Sequence, residues 1–388
     1  MSDMSNPFDG LLGDLLKIIG GQGGAAPWLD SAKALAVNVV TGDSPEGNVD
    51  PLERIAFEQL MPVVTLHVGE LIGSPLAPVT VEPITRPAWA LAQLEAWTPM
   101  VEQVVAAQSA ATGQSMSQFS EEGDGQIPPI LGQFASLLGP MMLGLQFGSA
   151  AGHLAERALG SYALPLPWPE SAPVYVVPVN IASFANDWSL PLDEVRLFSL
   201  TREIAGSVSL GTPSIAARVT ELLQAAMADA LANQASVIER LSGSGNPDAL
   251  QAMMSDPESI LAELVSPAAS TSSASLSAAT TALAAFLDHV ATTVAARLTG
   301  SHVLLSEAWR RHRTTDAKGE QSAGSLFGLD LSATEVDRGA KFIAGVLERA
   351  GNEGVAKLVA DGLNLPTPAE LDAPGLWLER IALPELNA

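Results

Sequence analysis

The sequence predicts a mainly helical protein with one short strand element, on three observations. Hydrophobic residues fill 47% of the 388 positions and charged residues only 16%, a balance that builds a packed core rather than a disordered chain. Apolar residues recur at intervals of three and four through most of the length, which is the period of a helix face. One stretch alone, Val174 to Val179, is rich enough in β-branched residues to read as a strand.

Taken in order, the chain opens with a short amphipathic stretch, Phe8 to Ile19, followed by GGQGG. Glycine repeats of that kind make a hinge, so residues 1–25 are expected to be a flexible segment and 26–388 a single helical unit. Helices are expected at Trp28 to Val40, Leu52 to Ile72 and Trp89 to Ala111, with Asn48, Asp50 and Pro51 as a start signal for the second. Residues 111–126 turn to Ser, Gln, Gly and acid and read as an exposed loop.

From Gly125 to Ala155 no residue is charged, and 31 such positions are enough to cross a bilayer. Three prolines and the polar Gln133, Gln146 and Ser149 argue instead for a buried central helix. Gly144, Gly148 and Gly152 repeat every four residues and leave one smooth face that another backbone can approach. After the proline-rich run to Pro173, the Val174 strand leads to a helix at Pro191 to Leu210. A second helix runs from Ser214 to Leu241 and a short helical piece from Pro257 to Leu264. Residues 266–281 are Ser, Ala and Thr and are expected to be flexible. Helices resume at Leu283, whose apolar series continues with Leu287, Val290, Val294 and Leu298.

Charge and residue choice exclude several classes of function. Forty-three acids against 19 Lys and Arg leave a formal charge of −24, which repels phosphate backbones and anionic lipid heads, so neither nucleic acid nor a membrane is expected as partner. The one basic cluster, Trp309 to Arg313, is expected to pair with acidic neighbours. Zero cysteines exclude disulfides and thiolate metal sites. The first twenty residues carry Asp3, Asp9 and Asp14 before any cationic or clean apolar run, so no signal peptide is read and a cytoplasmic location is expected. No phosphate-binding loop, serine elbow or dinucleotide fingerprint is present.

The most informative stretch is the Pro191 helix. Leu197, Leu200, Ile204 and Val208 form an apolar stripe, and Ser199, Arg202, Glu203 and Gly206 are expected to point away from it. A zinc peptidase helix reads His-Glu-x-x-His, with two imidazoles one turn apart and a general-base carboxylate between them. Here the five positions read Arg202, Glu203, Ile204, Ala205, Gly206, so the glutamate stays and both ligands are gone. The surroundings, among them NPFDGLLGDLLKIIG, GPMMLGLQFGSAAGHLAERALGSYALPLP and VYVVPVNIASFANDWSLPLDEVRLFSL, resemble the bacterial zincin-like family of zinc-dependent metallopeptidases and hydrolases. Further resembling segments carry the likeness from Asn6 to Ile381.

That resemblance implies a zincin-like helical fold and zinc as the family's cofactor, with Glu203 at the general-base position. It also implies a third, acidic ligand from a later helix, which falls at Asp288. With Arg202 and Gly206 at the imidazole positions, no zinc and no other cofactor is expected to be held here, and Glu203 is expected to be idle. Arg202, always charged and able to fork toward carboxylates, is expected to lie between Glu203 and Asp288 in place of the cation. A surface charge cluster without a role is the plainer reading of the same residues. Of the histidines, His289 reads as packed or solvated and His153 as capping or buried. Three functions stay open. They are a non-catalytic member that binds a protein or peptide, a hydrolase using Glu203 and Asp288 with unusual metal binding, and a structural subunit for assembly.

Overall fold

The computed structural model describes residues 27–42, 46–102, 144–242, 270–315 and 318–382. The expected flexible segment 1–25, the loop 111–126 and the helical piece from Pro257 to Leu264 lie outside them. Helix α1 spans Pro27–Thr41 and α2 spans Pro51–Ile72, the latter capped by Asp50, whose side chain accepts from Leu52 N, and closed by Gly73 in the left-handed region. The chain then forms β1, Val81–Pro83, and a helix, α3, described over residues 86–102. Residues 144–155 are helical (α4). Their glycine face meets α1 as expected: a Cβ at Gly144 would lie 2.5 Å from Trp28 O, and one at Gly148 2.5 Å from Ala32 O.

The strand is shorter than predicted and has a partner that the sequence did not reveal. β2 is Val174–Val176 and pairs in parallel with β1, Val81 opposite Val174. Gly160 adds an antiparallel bridge to Val176 on the other side of β2. The last residues of the predicted strand already belong to a helix, because Pro178 can occupy a first helical turn at no hydrogen-bonding cost. That helix, α5, Pro178–Asp187, stands between β2 and the motif helix α6, Leu192–Leu210. Helix α7, Pro213–Ser242, follows directly.

Helix α8, Thr271–Leu298, corrects the expectation of a flexible 266–281 segment over its residues 271–281. Ser270 caps it by accepting from Ser273 N over 3.1 Å. Its hydroxyls turn back on the helix, Thr280 donating to Leu276 O over 2.8 Å, while Leu276, Ala278 and Ala279 are fully buried. Small residues here are a packing choice: Gly339 of the later helix comes so near that a Cβ on it would lie 2.9 Å from Ala285 Cβ. Composition suggested a linker because it ignores how little room a close helix crossing leaves.

Helices α9, His302–Thr314, α10, Lys318–Leu326, and α11, Ala333–Ala356, complete the body, with short helices α12, Pro368–Asp372, and α13, Pro374–Ala382, closing the chain. Helix α8 packs against α6, α7 and α11 and forms the centre of an apolar core that runs from Trp28 to Trp377. Among the described residues, α2 and α8 are each long and apolar enough to cross a membrane. In α8, 72% of that apolar stretch is buried inside the fold, which marks it as a core helix. Helix α2 buries Phe57, Val64, Val68 and Leu71 on one side and exposes Leu52 and Leu66 on the other.

Candidate functional site

Helix α6 is held from several directions. Asp193 and Glu194 occupy its first turn, where carboxylates favour the positive end of the helix dipole. Glu194 reaches past the terminus to accept from Ser301 N over 3.0 Å, joining α6 to the start of α9. Arg196 binds both carboxylate oxygens of Glu53 of α2, Nη2 donating over 2.5 Å and Nε over 3.1 Å. Thirteen of the nineteen residues of α6 are buried, among them every residue from Leu197 to Gly206. Ser199, Arg202, Glu203 and Gly206, expected to point away from the core, are therefore inside it, because β2, the residue 160–162 segment and α8 cover the face that the sequence left polar. That burial also overturns the reading of Arg202 and Glu203 as part of a surface charge cluster.

Arg202 is 4% exposed and Glu203 1%. The Arg202 guanidinium touches both carboxylates, with Nε donating to Asp288 Oδ1 over 3.3 Å and Nη1 lying 3.6 Å from Glu203 Oε1. Nη1 also donates to the Tyr162 carbonyl over 2.7 Å. The Trp309 ring lies 4.9 Å beneath the guanidinium carbon, within the range of a cation–π contact. Asp288 Oδ1 accepts again from Trp309 Nε1 at 2.8 Å, and Oδ2 accepts from Arg313 at 2.5 Å. Glu203 Oε2 accepts from Tyr162 N at 2.9 Å.

These surroundings push the groups in different directions. Burial lifts Glu203 to about 7, against the pull of Arg202 and of the Tyr162 and Ser161 N–H groups. Burial would raise Asp288 as well, yet Arg313, Arg202 and Trp309 hold it below its ordinary value. Burial drives His312 down to about 3, and the Arg157 guanidinium adds to the effect. Glu320 of α10, facing Arg157, Arg313, Arg202 and Asp288, is raised by burial. Asp288 is thus the most firmly ionised carboxylate of the cluster.

The Glu203 shift carries a prediction for stability. Between 4.5, its unperturbed value, and about 7 the folded chain keeps a proton that the unfolded chain has lost, so rising pH favours unfolding. His312 acts oppositely, since below 6.5 the unfolded chain takes up a proton that the folded one refuses until about 3. A comparison of the parent with Glu203→Gln isolates the first effect. In urea titrations the variant should gain on the parent by roughly 3 kcal/mol between pH 4.5 and pH 8; a constant difference over that range would contradict the raised Glu203.

The residues at these positions do not fit zinc. Positions 202 and 206 offer a cation and no side chain, and both oxygens of Asp288 are engaged by N–H donors. Among the described residues no three of His, Asp and Glu converge to hold a metal. Trp309 and Arg313 belong to the site, and the expected pairing of their basic cluster with acidic neighbours holds for Arg313, whose partner is Asp288. Their spacing of four residues on a helix soon after Asp288 was the available signal, whereas nothing pointed to Tyr162. His153, expected to be buried or capping, has a side chain 53% exposed beside Glu156, because the glycine face to which it was attached turns toward α1 and leaves it outside. His289 is packed, lowered by burial and bonded to Asn352. His312 stacks on Trp309 at 5.4 Å and lines an open cleft of about 610 Å³ with Arg157, Asn180, Phe184, Trp188 and Arg311.

A largely helical protein, whose core is crossed by a helix that sets a guanidinium between the carboxylates of Glu203 and Asp288, is the class that fold and geometry define. The chain belongs to the zincin-like metallopeptidase family, whose model matches residues 29–378. A crystal structure from Chloroflexus aurantiacus, named a "putative hydrolase with a novel fold", shares its fold at a TM-score of 0.59. It has 19% sequence identity, and the match covers 92% of this chain and 99% of that one. A comparison with curated proteins finds none that matches.

Proposed function

We propose that this chain is a non-catalytic member of its family that binds a protein or peptide and does not cut it. The observation that carries the reading is the Arg202 guanidinium between Glu203 and Asp288, 3.6 and 3.3 Å away. A guanidinium neutralises the two acids as a metal would, yet it has no open coordination position and cannot turn water into a nucleophile. What stays open to solvent is the neighbouring cleft, where Trp188 is 36% exposed beside Phe184 and His312. Aromatic walls with a few charged groups at the rim suit an extended peptide side chain. The acidic, cysteine-free chain suits the reducing cytoplasm.

The second reading, a hydrolase that uses Glu203 and Asp288 with a metal bound in an unusual way, is favoured by one observation. Glu203 is lifted to about 7, where a general base works best. One experiment separates the two. A mixed pool of tryptic peptides is incubated with the full chain, and retained peptides are sequenced by mass spectrometry with zinc in the buffer. The binding reading expects retained, intact peptides that Trp188→Ala releases, and less than one zinc per chain. New peptide termini that disappear with Glu203→Gln would establish the hydrolase, and a pool neither retained nor cut would overturn both.

A further inference from the structure

Tyr162 is 2% exposed and meets the motif helix at three positions. Its N–H donates to Glu203 over 2.9 Å, and its carbonyl accepts from Arg202 over 2.7 Å. Its ring covers Gly206 so closely that a Cβ at 206 would lie 2.4 Å from Tyr162 Cγ. Those positions, 202, 203 and 206, are the ones that supply ligand, base and ligand in a His-Glu-x-x-His helix.

In metal-assisted peptide hydrolysis the scissile carbonyl lies on the cation and the general base stands beside it, because the polarised carbon and the activated water must meet. Tyr162 presents its own backbone in that sense, with its carbonyl on the cation that replaces the metal and its N–H on the base. We infer that Tyr162 is a built-in occupant of the retired site: its peptide groups take the place of a substrate residue, and its ring takes the place of the second metal ligand. The inference rests on reading Arg202 as the metal's replacement.

The occupant is part of the framework. Residues 159–161 are tied antiparallel to β2, Val177 N donating to Leu159 O over 2.9 Å and Ser161 N to Tyr175 O over 3.1 Å. Tyr175 N in turn donates to the Ser161 hydroxyl over 2.8 Å. Gly160 lets the segment close on the helix, since a Cβ there would lie 2.4 Å from Glu203 Cδ. The site is therefore closed twice, by Arg202 as the cation and by Tyr162 as ligand and substrate.

Arg202→His with Gly206→His restores both imidazoles in sequence, but the second has no room while the Tyr162 ring stays. Cobalt(II), whose visible spectrum reports tetrahedral coordination, is titrated into the full-length double variant and into the triple variant that adds Tyr162→Gly. The expected result is no coordination spectrum in the double variant and one cobalt per chain in the triple. A double variant that binds as tightly as the triple overturns the role of Tyr162 alone. A folded triple variant that binds nothing overturns the retired metal site itself, and the inference with it.

A thermal-denaturation cycle decides the matter should the triple variant fail to fold. Alanine is otherwise the better helix residue, so Gly206→Ala should lower the melting temperature of the parent and raise that of Tyr162→Gly. An equal change in both backgrounds would overturn the inference.

Discussion

Arg202→Met should cost the folded state about 3 to 5 kcal/mol, the usual penalty for removing one partner of a buried ion pair. Methionine keeps an unbranched apolar stem but is shorter and uncharged, so the cation over Trp309 is lost, Asp288 Oδ1 loses a bond of 3.3 Å, the Tyr162 carbonyl one of 2.7 Å, and Glu203 its nearest cation. Because Glu203 is 1% exposed, water cannot replace what is lost. Glu203 should then stay protonated to higher pH, and Arg202→Met with Glu203→Gln should lose less than Arg202→Met alone. Equilibrium unfolding in urea at pH 8 measures both. A loss below about 1 kcal/mol, the range of an exposed pair, would show that the guanidinium is not a structural cation.

Asp288→Ala should cost about as much, roughly 3 to 5 kcal/mol, for the opposite reason. It strands the cations of Arg202 and Arg313 and the Trp309 N–H in one partly buried place. This effect has a definite sign with pH. Asp288 ionises more readily in the folded chain than its ordinary value of 3.8, so its contribution is fully present above that value and is lost as pH falls through the lower, folded one. The stability gap between the parent and Asp288→Asn should therefore be widest near neutrality and narrow in acid. A gap that widened toward pH 3 would contradict the ionised Asp288 on which the site is built.

Much of the scaffold was legible because it depends on local pattern. The apolar period placed the helices at Pro27–Thr41, Pro51–Ile72, Leu192–Leu210 and Pro213–Ser242 within a residue or two, and the Gly144, Gly148, Gly152 series announced a close helix contact. Errors arose where composition stood in for packing. Ser and Thr at the start of α8 looked like a linker, although their hydroxyls bond to their own helix and their small size admits a neighbour. The helix Pro178–Asp187 was hidden behind a β-branched run.

The sequence by itself determined that positions 202 to 206 read Arg, Glu, Ile, Ala, Gly, with a glutamate but no imidazole, and that the chain has no thiolate to offer, since these are statements about residue identity. It also raised the pairing of Arg202 with Asp288 as an expectation. Only the tertiary structure decided that the pair is buried and that Trp309 and Arg313 complete it. It alone brought Tyr162, forty residues before Arg202, onto the same helix turn. The physical reason is that a motif's spacing fixes which side chains share a face of one helix. What fills the space in front of that face comes from segments remote in the chain, and its effect on charge and room depends on distances that spacing does not contain.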